Sequence, residues 1–202
     1  MNGFEKRAEE KKQQVLDAAF TLMNSDTGVE KVTIEEIVKQ SNVSKATIFK
    51  YFGSKENLIG EVFKRFLNEM GDSAKKIMAE ERPFEETIIA MSKNKIRFME
   101  KVNKQFYLDM MAYVTHKKND ELATLMEVYS KESFTIMLDI FHRGRKEGKV
   151  ALKYSDEFLM LYFEAIVEGI SKPHIYERLM PYTEEWTEMI IKGIAPDKKE
   201  DQ

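Results

Sequence analysis

Residues 33–58 read TIEEIVKQSNVSKATIFKYFGSKENL, and the order of caps and apolar positions in this stretch decides the fold of the N-terminal region. Thr33 is followed three residues on by Glu36, a capping box whose hydroxyl and carboxylate satisfy the unpaired N–H groups of a first helical turn. Ile34, Ile37 and Val38 give the short helix that follows one apolar face. Ser41-Asn42-Val43-Ser44 interrupts it. Asn42 tolerates the left-handed conformation that ends helices, and Ser44 is an N-cap for a second helix running from Lys45 to about Tyr51. Gly53 and Ser54 break that helix. Ser54 then caps a long one, on which Leu58, Ile59, Val62, Phe63, Phe66, Leu67 and Met70 form a stripe. Two helices of about seven residues joined by a four-residue turn have the proportions of a helix-turn-helix.

Val43, Ile48 and Phe52 point inward in this arrangement, which leaves Lys45, Ala46, Thr47 and Lys50 facing out. A helix entering a major groove needs that set: little bulk near its axis, with donors for phosphates and base edges. Tyr51 and Lys55 flank it. The N-terminus of the next helix adds free N–H groups and a positive dipole end, a phosphate anchor. The spacing also suits an ordinary solvated helix in a bundle, because helix-turn-helix units occur in proteins that never touch DNA.

Outward from this stretch the helical period persists. Val15, Leu16, Ala19, Phe20 and Met23 line one face of a first helix over about Phe4–Met23, and 24–28 reads as a turn. Pro83 starts a helix with Phe84, Ile88, Met91, Phe98 and Val102 inward. Phe106, Tyr107, Met110, Met111 and Val114 mark a shorter one. A long helix from about Asp120 ends near Gly144–Gly148. Ser155 caps the next, which runs to about Ser171. The last lies between Pro173 and Gly193, with a break at Pro181, and a charged tail follows from Asp197. No stretch alternates at period two. The fold expected is all-α, about nine helices: a three-helix DNA-binding domain over 1–53, a linking fourth helix over about 54–80, and a larger helical domain over 54–202.

Bulk composition fits a folded domain. Apolar residues make up 43% and charged residues 33%, enough to bury a core. With no cysteine, a disulfide framework, thiolate chemistry and a Cys-ligated zinc site are excluded. The charged N-terminus does not read as a signal peptide. The longest apolar run, Phe158 to Phe163, is far too short to span a bilayer, so no membrane association and a cytoplasmic location are expected. The net charge of −3 argues against coating nucleic acid with the whole surface. It leaves room for a local basic site. Residues 1–55 carry nine Lys/Arg against eight Asp/Glu, and Lys45, Lys50 and Lys55 fall within eleven residues that hold no acid.

The run from Thr33 to Leu58, and most closely Val43 to Glu56, resembles the DNA-binding domain of TetR-family transcriptional regulators. With the preceding helix and the fourth helix the resemblance covers about residues 5–70. It implies three N-terminal helices for DNA and a larger helical domain for effector binding and dimerisation. It also implies roles: Thr33 and Ser44, Lys45, Ala46 and Thr47 at positions that meet DNA backbone or bases, Lys50 and Tyr51 near phosphates, and Lys55 on a phosphate. Phe49 stands where the family usually has Tyr, which removes a hydroxyl contact, and Asn42 stands where many members have Gly. The function expected is a sequence-specific, homodimeric regulator of a palindromic double-stranded DNA operator, a repressor released by a small apolar or aromatic ligand. An activator is compatible with the same residues. The competing class is a helical small-molecule sensor or enzyme that keeps the fold without specific DNA binding.

Met91, Phe98, Phe106, Met110, Tyr113, Met126, Tyr129, Met137 and Phe141 are soft or aromatic residues suited to an apolar ligand cavity, although such a stripe at helical spacing is as often plain core. The segment 158–163 is apolar all round, so its helix is buried on more than one side. Leu159, Tyr162, Phe163 and Ile166, with Trp186, Met189 and Ile190 on the last helix, are the candidate dimer interface, with a central core helix as the other reading. His116, His142 and His174 are widely separated, and no phosphate loop, His-Glu-x-x-His or nucleophile elbow is present. No metal, cofactor or catalytic activity is therefore expected.

Overall fold

Local capping chemistry sets the helix boundaries at the N-terminal end. The computed structural model describes residues 3–115, 120–170, 175 and 178–197, the side chains at 4, 114, 115, 120–123 and 126 excepted. Helix α1 spans Gly3–Met23, α2 Ile34–Ser41 and α3 Lys45–Phe52. At the start of α2 the Thr33 hydroxyl accepts from Glu36 N–H at 3.2 Å, and Thr33 N–H donates to the Glu36 carboxylate at 2.7 Å. Asn42 ends α2 in the left-handed region, φ 54°. The Ser44 hydroxyl accepts from Thr47 N–H at 3.3 Å and opens α3. Each such cap is worth about 1 kcal/mol.

Helices α4 (Lys55–Ala79), α5 (Phe84–Glu100), α6 (Lys104–Thr115), α7 (Asp120–Lys146), α8 (Asp156–Ile170) and α9 (Thr183–Ile194) follow. The Ser54 and Ser155 hydroxyls each accept from a first-turn N–H at 3.1 Å. A 3₁₀ turn at Met180–Tyr182 precedes α9, where Pro181 removes a backbone donor and breaks the ladder. A second 3₁₀ turn, Val29–Lys31, has no counterpart in the sequence reading. The described residues thus hold nine α-helices and no strand, and none of those helices is long and apolar enough to cross a membrane. Ser171, Pro173 and the tail beyond Asp197 lie outside the described residues.

The chain divides into two compact units: Met1–Met70 with Met99–Val128, and Gly71–Phe98 with Tyr129–Gln202. This division does not run at residue 53, because α6 buries its apolar face among the N-terminal helices. In the first unit Val15, Ala19, Met23, Ile37, Leu58, Ile59, Phe63 and Phe106 are all shut off from solvent. The Phe106 ring takes edge contacts from Phe20 at 5.4 Å, Phe63 at 5.2 Å and Phe66 at 5.8 Å. Tyr113 stacks edge-on to Phe63 at 5.4 Å and its hydroxyl donates to Glu30 at 2.9 Å.

Helix α6 also holds the turn between α1 and α2. Asp109 accepts from Val29 N–H at 2.8 Å and from the Gln105 amide at 2.8 Å. Gly28 sits at φ 81°, and a Cβ there would meet the Asp109 carboxylate at 2.9 Å. Asn24 donates to the Lys101 carbonyl at 2.9 Å. Asp109→Ala would leave the part-buried Val29 N–H without an acceptor and should cost about 1–3 kcal/mol. Chemical denaturation checks this, and a loss below about 0.5 kcal/mol, the range of ordinary surface substitutions, would show that α6 does not hold the turn.

The second unit has its core at Phe84, Ile88, Ile140, Phe141, Val150, Leu159, Phe163 and Ile194. Gly144 allows α7 to close on this core, because a Cβ would lie 2.6 Å from Val150 Cγ2 and 2.7 Å from Phe84 Cδ2.

Candidate nucleic-acid interface and ligand cavity

Packing of α1 on α2 and α3 turns Val43, Ile48 and Phe52 inward, all under a tenth exposed. What remains outward is Ser44, Lys45, Ala46 and Lys50, all exposed, with Thr47 half-buried. The Ser44 and Thr47 hydroxyls lie 2.9 Å apart, so the cap also orders the two neutral polar groups of this face. Lys50 has no ion pair or hydrogen bond among the described residues.

Lys45 and Lys55 are engaged. Lys45 Nζ donates to Glu35 of α2 at 2.6 Å, a pair in which both side chains remain more than half exposed. That hydrogen bond from Lys45 is the main reason the Glu35 carboxyl sits below the usual carboxylate range. Lys55 Nζ donates to the Glu30 carbonyl at 2.6 Å, joining the start of α4 to the 3₁₀ turn. The Thr33 hydroxyl is held by Glu36 at 2.7 Å, and backbone donation from Thr33 keeps the Glu36 carboxyl low. Tyr51 is half-buried, with Lys12 Nζ of α1 5.8 Å from its ring centroid. Lys12 and Glu35 were not singled out from the sequence: Lys12 is 39 positions from Tyr51, and no local pattern joins them. Phe49 is exposed at 38%, an apolar ring on the same short helix.

The candidate ligand residues separate into two groups. Met91 and Met137 line a cavity of about 220 Å3 in the second unit, together with Ile88, Phe163, Trp186 and Ile190 among others. Phe98 and Phe141 are buried outside that lining, and Tyr129 packs over Gly71. Phe106, Met110 and Tyr113 belong to the other unit, as core. The Met126 side chain lies outside the described residues. Ser92, Lys95, Thr183 and Thr187 line the cavity and were missed, since polar residues in a mixed helix carry no periodic signal.

Helix α8 is also split by its faces. Leu159 and Phe163 are buried in the core, while their neighbours about 100° round the helix are not. Ile166, Trp186 and Ile190 line the cavity. Tyr162 and Met189 are exposed, and Phe158 and Leu161, which lie in the apolar segment 158–163 but not among the candidate interface residues, are more than half exposed. Tyr154, Phe158 and Tyr162 stack along this face at 5.5 and 6.4 Å. His142 Nε2 lies 2.8 Å from Asp156 Oδ2, while His116 and His174 lie outside the described residues. The described residues contain no cluster of three metal-ligating side chains.

A family model described as bacterial regulatory proteins, tetR family, matches residues 15–62. Over 79 residues the chain is 34% identical to the uncharacterized HTH-type transcriptional regulator YhgD of Bacillus subtilis, covering 39% of this chain and 41% of that one. It is 35% identical over 60 residues to the nucleoid occlusion factor SlmA of Haemophilus ducreyi, 30% of each chain. The match thus spans well under half the length of these relatives. The fold extends further: the crystal structure of the reduced form of NemR from E. coli is similar over 92% of this chain and 98% of that one, with a TM-score of 0.67 at 14% identity.

Proposed function

The chain belongs to the tetR family of bacterial regulatory proteins, and from that premise we propose that it is a cytoplasmic, homodimeric transcriptional repressor released from its operator by a small apolar ligand. The observation that carries the reading is the outward face of α3, where a capped, small-residue N-terminal turn presents Ser44, Ala46 and Thr47 beside the unengaged cation Lys50. Two such helices in a twofold dimer, spaced about 34–36 Å apart, meet successive major grooves of a palindromic site. The exposed Phe158, Leu161 and Tyr162 on α8 support the dimer, because a monomer rarely leaves a contiguous apolar face in water. The cavity at Met91 and Met137 supports the ligand. For release, the ligand must bind the DNA-incompetent arrangement better than the competent one. In this reading residues 1–53 bind DNA and 54–202 bind effector and partner, with no catalytic role.

A gel shift on the DNA upstream of the chain's own coding sequence, paired with a random-sequence selection, tests this. Wild type should prefer one palindromic sequence. Binding no tighter than to random DNA in both assays would overturn the reading. Lys50→Ala should weaken binding to all sequences alike and lower the slope of log K against log salt by about 1 if the ammonium meets a phosphate. An unchanged slope removes that role. Lys45 and Lys55 are contacts of the same kind in this reading, once they exchange Glu35 and the Glu30 carbonyl for phosphate oxygens.

A further inference from the structure

The cavity in the second unit has thirteen apolar lining residues, three hydroxyls and a single charge, Lys95. The two threonine hydroxyls are already spent: Thr183 donates to the Met180 carbonyl at 2.7 Å and Thr187 to the Thr183 carbonyl at 2.8 Å, with Ser92 Oγ 3.2 Å from Thr187. Lys95 differs from them. It has no hydrogen bond or ion pair among the described residues, and no neighbouring charge offsets its surroundings. Protein atoms crowd the ammonium enough that burial lowers its pKa, yet the residue as a whole remains open to solvent. That combination places it at the rim, with one part of the side chain against the cavity wall and another in solvent. A second cleft shares the wall of Ser92, Ile96, Thr183 and Thr187 but is lined by Glu85, Glu184 and Glu188 against Lys93 and Lys192, so it offers an anion no net attraction.

We propose that the ligand of this cavity is an amphipathic monoanion, an apolar chain or ring bearing one carboxylate that pairs with Lys95 while its body lies among Met91, Met137, Phe163 and Trp186. The proposal rests on the reading of this cavity as the effector site and narrows it. A neutral apolar ligand would displace water from around the ammonium and return no partner. A carboxylate accepts from one or two of the three N–H donors in charge-assisted hydrogen bonds, stronger than neutral ones. A cationic ligand would meet a like charge at the rim. The volume of about 220 Å3 lies below the roughly 300–1,000 Å3 of drug-sized sites, which fits a short chain or a small ring system.

Trp186 is the only tryptophan of the chain and lines the cavity, so its emission reports occupancy directly. The full-length protein is titrated with decanoate, decanol and decyltrimethylammonium, three ligands that share one apolar chain. Decanoate should bind about five- to ten-fold more tightly than decanol, and the ammonium more weakly than either. Lys95→Met keeps the stem and loses the charge; it should bring decanoate down to the level of decanol and leave decanol unchanged, while Lys95→Arg keeps the preference. Equal binding of decanoate and decanol by wild type, tightest binding of the ammonium, or a preference that survives in Lys95→Met each overturns the anion assignment and leaves the cavity as a ligand site. No emission change with any of the three overturns both.

Discussion

Replacing Ala46 by glutamate is expected to abolish operator binding and to leave the fold as stable as wild type. Ala46 is the second residue of α3 and is exposed, so a longer side chain there displaces nothing. The first turn of α3 carries no acid, and a carboxylate at that end faces the positive end of the helix dipole, a gain of a few tenths of a kcal/mol. Against DNA the sign reverses. The same carboxylate adds bulk where α3 must approach the groove floor, and it faces phosphates and acceptor-rich base edges. Like charges forced together at an interface cost several kcal/mol, so affinity should fall about 100-fold or more. A thermal melt and a gel shift on one preparation check both halves. Wild-type affinity in A46E would mean that α3 does not enter the groove. The contrast with Lys50→Ala is informative, since removing one phosphate contact weakens binding modestly and on every sequence alike.

The parts of this structure that were legible in the sequence are those whose physics is local. Thr33 with Glu36, Asn42 at the helix end and Ser44 before α3 each act over three or four residues, so the spacing alone specifies the hydrogen bond or the backbone conformation. The stripes on α1, α4 and α5 were legible in the same way, because periodicity reports which face is buried. Periodicity does not report what buries it. Phe106, Met110 and Tyr113 form as regular a stripe as Met91 and Met137, but the first set meets Phe20, Phe63 and Phe66 while the second borders empty space. On α8 the error is one of angle. Leu159 and Phe158 are adjacent in sequence and a hundred degrees apart on the helix, and in an all-apolar run nothing marks which one faces the core. Lys95 lies in the run Ser92-Lys93-Asn94-Lys95, where composition predicts a solvated face and where Asn94 itself is buried, accepting from Ser73 at 2.7 Å and Arg97 at 2.8 Å.

Phe106→Ala should therefore behave as a core deletion. Its ring is wholly buried and meets three other rings at 5.2–5.8 Å. Removing it forfeits the transfer energy of the ring, opens a cavity that α1 and α4 fill only in part, and cancels three edge contacts. Phenylalanine deletions of this kind cost about 3–5 kcal/mol, with roughly 0.5–1.5 kcal/mol for each aromatic pair included in that total. At about 2–4 °C per kcal/mol for a chain of this size, the melting temperature should fall by roughly 6–20 °C. Below its melt the variant should titrate with decanoate as wild type does, because Phe106 lines no part of the cavity at Met91 and Met137. Met137→Ala should show the reverse pattern: Met137 is only half-buried, so the stability loss is smaller, and the ligand titration shifts. Calorimetry and Trp186 emission on the two variants separate these outcomes. A Phe106→Ala protein that melts within about 2 °C of wild type, or one whose stability is intact while its ligand affinity is lost, would return Phe106 to the ligand site and refute its place in the aromatic core.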